Sequence, residues 1–214
     1  MIKLLYIFSI LFLSANIAYA DIEILSTTDA SVQSLYTPNG NVVAGNPNGT
    51  VTLVDFFGYQ CEFCQTMTPM MQSLIKSHPN LRVVYKEYLV FGDASRLSAY
   101  AALAAAKQNK YLAMHDKMIT ANKPLTQDEL IKMAKEIGLN VSQFKKDMAR
   151  EDVKQAIEAN TALASEVGVT AAPTIVVAPT RILKSSQGVT QYKLFFPINP
   201  DMLNEMIEKA EHES

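Results

Sequence analysis

Val51-Thr52-Leu53-Val54-Asp55-Phe56-Phe57-Gly58-Tyr59-Gln60-Cys61-Glu62-Phe63-Cys64 reads as a strand, a corner and the start of a helix. Residues 51–57 are largely apolar on both alternating faces, the pattern of a strand buried at the centre of a sheet, and Asp55 is the only charge in the run. Gly58 ends the strand. From Cys61 onward Cys64, Met67, Met71, Leu74 and Ile75 recur at helical spacing, which predicts a helix with both cysteines on its first turn. Pro69 falls inside that helix and is expected to kink it, because it removes one backbone hydrogen bond. Leu81-Arg82-Val83-Val84-Tyr85-Lys86-Glu87-Tyr88 reads as a second buried strand, giving a β-α-β unit with the cysteines at its strand-to-helix corner.

On the N-terminal side, residues 21–50 are rich in Thr, Ser, Asn, Gly and Pro and close on Gly45-Asn46-Pro47-Asn48-Gly49, which is turn chemistry. They read as a leader with one short strand around Ile22 to Leu25. On the C-terminal side the pattern becomes helical. An alanine-rich run spans Ser98 to Gln108, apolar residues recur from Lys110 to Thr120, and Thr126 with Glu129 forms a capping box ahead of a helix ending near Gly138. Helices over Ser142 to Met148 and Asp152 to Val167 follow, the last stopped by Gly168. Residues 95–167 therefore make a helical insert, too long for a crossover. Strands then return at Val169 to Val177, opened by Pro173, and at Thr190 to Phe196, paired as a hairpin. Asn199-Pro200-Asp201 caps a final helix that reaches about His212.

The first twenty residues, MIKLLYIFSILFLSANIAYA, carry a positive charge at Lys3, a short apolar run and small residues at Ala18 and Ala20. This is the layout of a secretory signal peptide, residues 1–20, with cleavage expected after Ala20. A lipid-anchored form is not expected, because no cysteine lies near that point. The whole chain has 19 basic and 21 acidic residues, a formal charge of −2 that becomes −3 once Lys3 is removed. No basic stripe of the kind that marks nucleic-acid binders stands out.

The chain holds only two cysteines, and export would place them in an oxidising compartment. A structural zinc site needs four ligands. The histidines, His78, His115 and His212, stand at no metal-ligand spacing, so no metal is expected; His115 reads as a bundle-surface or packing residue, and His78 as a residue ending a helix. A disulfide closing so short a loop constrains little of the unfolded chain, so a structural staple is a poor account. Redox chemistry remains. Backbone N–H groups and the dipole at a helix start favour a thiolate at Cys61, and a low thiolate pKa makes such a sulfur reactive. Cys64, one turn further in, is expected to be more buried. Asp55 is either a carboxylate at the strand's edge or in a polar pocket, or a proton acceptor for Cys64.

These residues resemble the thioredoxin superfamily and, within it, the DsbA-like thiol-disulfide oxidoreductases of the bacterial cell envelope. The likeness rests on Val54-Asp55-Phe56-Phe57 leading into Cys61-Glu62-Phe63-Cys64, on Pro69, on Val84-Tyr85-Lys86-Glu87-Tyr88 followed by Gly92, on residues 163–169, and on Ala172-Pro173-Thr174. It implies an α/β thioredoxin fold with an inserted helical domain, the thioredoxin part divided between residues 51–94 and 168–214. It further implies that Cys61 is the exposed attacking cysteine and Cys64 its buried partner, that Pro173 is cis, and that substrate lies extended beside Ala172 and Pro173. The reaction implied is the introduction of disulfides into unfolded or reduced exported proteins in the periplasm, without a bound cofactor. Reoxidation would come from a membrane quinone-linked partner of the DsbB type.

This sequence departs from the strongly oxidising archetype, which has Pro-His where Glu62-Phe63 stand. The added carboxylate should make the Cys61 thiolate less acidic by roughly one pK unit, and the pair less oxidising. Ala172 is smaller than the threonine or valine common before the proline. Two alternatives stay open: a disulfide isomerase or reductase with the same pair kept reduced, and a chaperone that uses the apolar cleft without redox turnover.

Overall fold

A strand apolar on both faces needs helices above and below it, and the residues around Val51–Phe57 supply them. A computed structural model of the chain describes residues 22–24, 30–38, 42–89, 91–121, 123–184 and 189–214. The signal-peptide reading of residues 1–20 lies outside the described residues. In chain order the elements are β1 (Ile22–Ile24), α1 (Ala30–Tyr36), β2 (Val43–Gly45), β3 (Val51–Phe57), α2 (Glu62–Ser77) and β4 (Leu81–Glu87). After β4 come α3 (Asp93–Ala106), α4 (Tyr111–Ala121), α5 (Gln127–Glu136), α6 (Val141–Met148) and α7 (Glu151–Glu166). The chain closes with β5 (Thr174–Pro179), β6 (Tyr192–Phe195) and α8 (Pro200–His212).

The sheet has six strands in the order β1-β6-β5-β3-β4-β2. β3 lies between β4, with which it runs parallel, and β5, with which it runs antiparallel, and all seven of its residues are buried. This is an α/β thioredoxin architecture with helices α3 to α7 carried between β4 and β5. Strand alternation then sorts the side chains. Val51, Leu53 and Phe57 join Met67, Met71 and Leu74 of α2 in one core, while Val54 and Phe56 join Leu163 and Ala164 of α7, with Leu35 and Tyr36 of α1, in the other. Asp55 shares the parity of Leu53 and Phe57, so it points toward α2.

The capping signals are realised in full. Thr126 and Glu129 cap each other reciprocally ahead of α5, and the Asn199 side chain accepts from the Asp201 N–H at the start of α8. α2 runs through Pro69 without ending.

The leader needs correction. Besides β1 it contains the helix α1 and the strand β2, which pairs antiparallel with β4. Gly45 closes β2 at φ +69°, and a side chain there would strike the Leu81 carbonyl, so the turn into Asn46 requires glycine. α1 has no basic residue in its own last turn. Two buried cations of β4 serve that end instead. Lys86 Nζ donates to the Ser34 carbonyl (3.0 Å) and the Thr37 carbonyl (2.6 Å), and Arg82 Nη1 donates to the Tyr36 carbonyl (3.0 Å). Each cation satisfies C-terminal carbonyls and offsets the negative end of the helix dipole.

Substituting Lys86→Met should therefore cost about 2 kcal/mol in urea unfolding, the scale of a charge-assisted hydrogen bond. Hydrogen exchange should rise first at Ser34 to Tyr36. An unchanged exchange pattern in α1 would rule out Lys86 as its anchor.

Candidate active site

Gly58 to Gln60 turn the chain out of β3 and deliver Cys61 as the N-cap of α2, with φ −94° and ψ 106°. An N-cap side chain normally offers an oxygen to the first-turn N–H groups. Here sulfur takes that place, and Cys61 Sγ accepts the Cys64 N–H at 3.1 Å. Cys61 and Cys64 are joined in a disulfide, their Cα atoms 5.1 Å apart. The bond thus sits where unpaired N–H groups and the helix dipole favour negative charge on sulfur.

The far wall comes from the segment before β5. The Ala172–Pro173 peptide bond is cis, and the Ala172 carbonyl oxygen lies 3.4 Å from Cys61 Sγ, close enough for a reduced thiol to donate to it. Thr174, the next residue, hydrogen-bonds back to the Ala171 carbonyl at 2.8 Å and holds the bend. Neither sulfur stands open. Cys61 is 2% exposed and Cys64 5%, which corrects the expectation of an exposed Cys61 and a more deeply buried Cys64. The reason is that Cys61 packs against the Ala172 carbonyl, a contact supplied more than a hundred residues later in the chain.

Glu62 and Phe63, between the cysteines, both face solvent. Phe63, 48% exposed, stacks on Phe196, 39% exposed, with ring centroids 3.9 Å apart and planes at 25°. Phe196 was not legible as a site residue. It follows β6, and only the sheet order brings the end of β6 to the same edge as the end of β3.

Behind the disulfide Asp55 is 6% exposed, and its Oδ1 has no hydrogen-bond partner. It sits mid-strand at the sheet centre, not at an edge. Burial pushes its pKa up to about 7. It shares with Cys64, Phe57, Tyr85, His115 and Asp116 a cavity of about 80 Å³. His115 is a packing residue and not a surface one. Its ring lies within 4.8–5.8 Å, centroid to centroid, of Phe57, Tyr59, Tyr85 and Tyr111, and burial lowers its pKa to about 4. Glu87 is a second buried carboxylate, two positions along β4 from Tyr85 and opposite Phe57 in register. Burial raises it to about 7, relieved in part by the nearby Tyr111 hydroxyl, which stands outside hydrogen-bond geometry. Its Oε2 accepts from Asn160 Nδ2 at 3.4 Å and its Oε1 has no partner. The period-two pattern of residues 81–87 already puts Glu87 on the Tyr85 face. Register is what brings that face against Asp55. His78 caps the other end of α2 and pairs with Asn204 at 3.0 Å, remote from the sulfurs in sequence and in role. Among the described residues no group of three or more His, Cys, Asp and Glu side chains is placed to hold a metal ion.

Comparison with known proteins gives a consistent likeness. Residues 52–194 match the family model of the DSBA-like thioredoxin domain. A solved structure described as a thioredoxin-like oxidoreductase from Silicibacter pomeroyi DSS-3 superposes with a TM-score of 0.72 and 30% identity, covering 85% of this chain and 98% of that one. A probable disulfide bond formation protein D of Bacillus cereus is 25% identical over 146 residues, 62% of this chain and 68% of the relative. A Na(+)/H(+) antiporter, NhaA 3, of Salinispora tropica is 26% identical over 115 residues, 52% of this chain. The chain spans only 18% of that antiporter's length.

The raised pKa of Asp55 has a stability consequence of definite sign. The folded protein holds the proton up to about pH 7, whereas an unfolded aspartate loses it near 3.9, so Asp55's contribution is full below about pH 4 and is lost as pH rises through 7. Asp55→Asn should remove that slope. The oxidised variant should be more stable than the parent by roughly 4 kcal/mol at pH 8, shrinking toward zero near pH 4, in paired urea titrations. A gain that does not vary with pH would show that Asp55 is not the titrating group.

Proposed function

The chain belongs to the family of DSBA-like thioredoxin domains, and from that premise we propose that it is an exported thiol-disulfide oxidoreductase that introduces disulfide bonds into proteins of the cell envelope. The observation that carries this reading is the Cys61–Cys64 disulfide at the N-terminus of α2, facing the cis Ala172–Pro173 bond.

A thiolate of a reduced exported protein attacks Cys61 Sγ. The sulfur–sulfur bond breaks, its electron pair stays on Cys64 Sγ, and a mixed disulfide joins substrate to Cys61. Two features support Cys61 as the sulfur attacked: it caps the helix, and it adjoins Ala172, along which an extended substrate segment would lie. Asp55 hands its proton to the departing Cys64 thiolate and takes it back when the pair is reoxidised. A carboxyl with a pKa near 7 suits both directions at neutral pH. The substrate's second thiolate then displaces Cys61, leaving substrate oxidised and both enzyme cysteines reduced. A membrane quinone-linked partner of the DsbB type restores the disulfide. Since Cys61 is covered, the attacking thiolate must enter beside Ala172 and Pro173, and the small Ala172 side chain leaves room there. Cleavage after Ala20 would release the protein into the periplasm.

Glu62 favours a second reading. Its carboxylate, on the first turn of α2, opposes a thiolate at Cys61 and lowers the oxidising power of the pair. A weaker oxidant kept reduced in the cell would act as an isomerase or reductase by the same chemistry.

Thiol trapping in intact cells separates the readings: a mostly oxidised Cys61–Cys64 pair is expected for the oxidase, a mostly reduced pair for the alternative. Cys64→Ser should accumulate mixed disulfides with exported proteins, whereas Cys61→Ser should accumulate none. If Cys61→Ser still rescued an envelope folding defect, the activity would be that of a chaperone and not of an exchange enzyme.

A further inference from the structure

The cavity behind Cys64 is walled on one side by β3 and α2 and on the other by α4, which contributes Leu112, His115, Asp116 and Ile119. At about 80 Å³ it has room for several waters, each of which needs on the order of 10–15 Å³ and at least two polar partners. Asp55 Oδ1, buried and unpartnered, is one such partner, and Thr68 and Gln72 on the α2 side and Asp116 on the α4 side carry others. Asp116 differs from the rest in being a titratable group that both lines the cavity and reaches solvent. Its position is fixed by a bridge between helices, Gln65 Nε2 of α2 donating to the Thr120 carbonyl of α4 at 3.1 Å, and by burial of Met114, Met118 and Ile119. His115, beside it, cannot serve the same purpose. Burial holds that ring neutral above about pH 4, four aromatic rings enclose it, and its Nδ1 faces the Tyr59 hydroxyl at 3.4 Å.

We propose that Asp116 is the outer member of a proton path that links Asp55 and Cys64 to solvent through water held in this cavity. The inference rests on the reading of Asp55 as the proton partner of Cys64. When an attacking thiolate expels Cys64, the electron pair of the broken bond stays on Cys64 Sγ, which takes the Asp55 proton. A cavity water then protonates the Asp55 carboxylate and is itself reprotonated by the Asp116 carboxyl, which recovers its proton from solvent. During reoxidation the same path runs outward. Partial burial raises the Asp116 pKa from its ordinary value, which brings the two carboxyls closer in acidity and suits them to exchange a proton. The helical segment between β4 and β5 thereby contributes a working residue to the exchange site.

The test is stopped-flow reduction of the oxidised protein by dithiothreitol at neutral pH in dilute buffer, with the parent, Asp116→Asn, Asp116→Glu and Asp55→Asn. Asp116→Asn should slow reduction about tenfold, less than the roughly hundredfold or more of a group that transfers the proton directly, because Asp116 acts through water. Asp116→Glu should restore the rate, and so should added imidazolium acting on the Asn variant, while the equilibrium reduction potential stays at the parent value. A relay changes the proton's route and not its end states. If Asp116→Asn is as fast as the parent while Asp55→Asn is slow, the path does not pass Asp116 and the proposal fails alone. If Asp55→Asn is also fast, the role of Asp55 falls and the proposal with it. Slowing without rescue by Glu or imidazolium, or with a shifted potential, would mean that Asp116 acts only as a fixed charge, and would overturn the proposal.

Discussion

Complete burial of β3 is the constraint on which the rest of the molecule depends. A strand with a neighbour on each edge and helices on each face has no solvent for any side chain, so the one carboxylate in it must be protonated, paired or used. The same burial places the strand's C-terminal end at the centre of the sheet edge, where the turn at Gly58 starts α2 against it. The disulfide, the desolvated carboxyl and the helix N-terminus are therefore consequences of one placement, reached within ten residues of chain from Asp55 to Cys64.

That contiguity explains which parts were legible in the sequence. The strand, the corner, the helix start and the pair of sulfurs are local patterns, and periodicity finds them. The helices of residues 95–167 announce themselves by capping residues and spacing, and the observed boundaries fall within a few residues of that reading except at the start of α3, which begins at Asp93 and not near Ser98. The leader failed because α1 is a seven-residue helix whose carbonyls are served by Lys86 and Arg82, cations that sit some fifty residues away and belong to a strand. An isolated helix that short is unstable in water, so its own sequence carries little signal. β2 likewise exists only as a partner for β4.

The site divides along the same line. Spacing singled out Cys61 and Cys64, the lone charge in an apolar strand singled out Asp55, and the family likeness Pro173. Phe196, Glu87, His115 and Asp116 were not assigned to the site, because each is brought there by sheet register or by the docking of α4 on α2. Exposure was misjudged for a related reason. An isolated helix N-terminus is open, so Cys61 reads as accessible until the loop before β5 is set against it. The two carboxylates, Asp55 and Glu87, lie on one face of the sheet among aromatic side chains, and their shared burial pushes both pKa values up to about 7. Low polarity, more than any one neighbour, gives the interior its proton affinity.

The cover over Cys61 has a consequence for the order of events during synthesis. The sulfurs are specified at residues 61 and 64, while the cover against Cys61, the Ala172 carbonyl ahead of Pro173, is not made until most of the remaining chain has followed. A polypeptide delivered from its N-terminus carries two bare thiols for that interval. With only two cysteines in these residues, a single internal pairing exists, so the nascent chain cannot tie itself into a wrong loop. The same scarcity of cysteine that points to redox chemistry also protects the exposed pair on its way to the folded state.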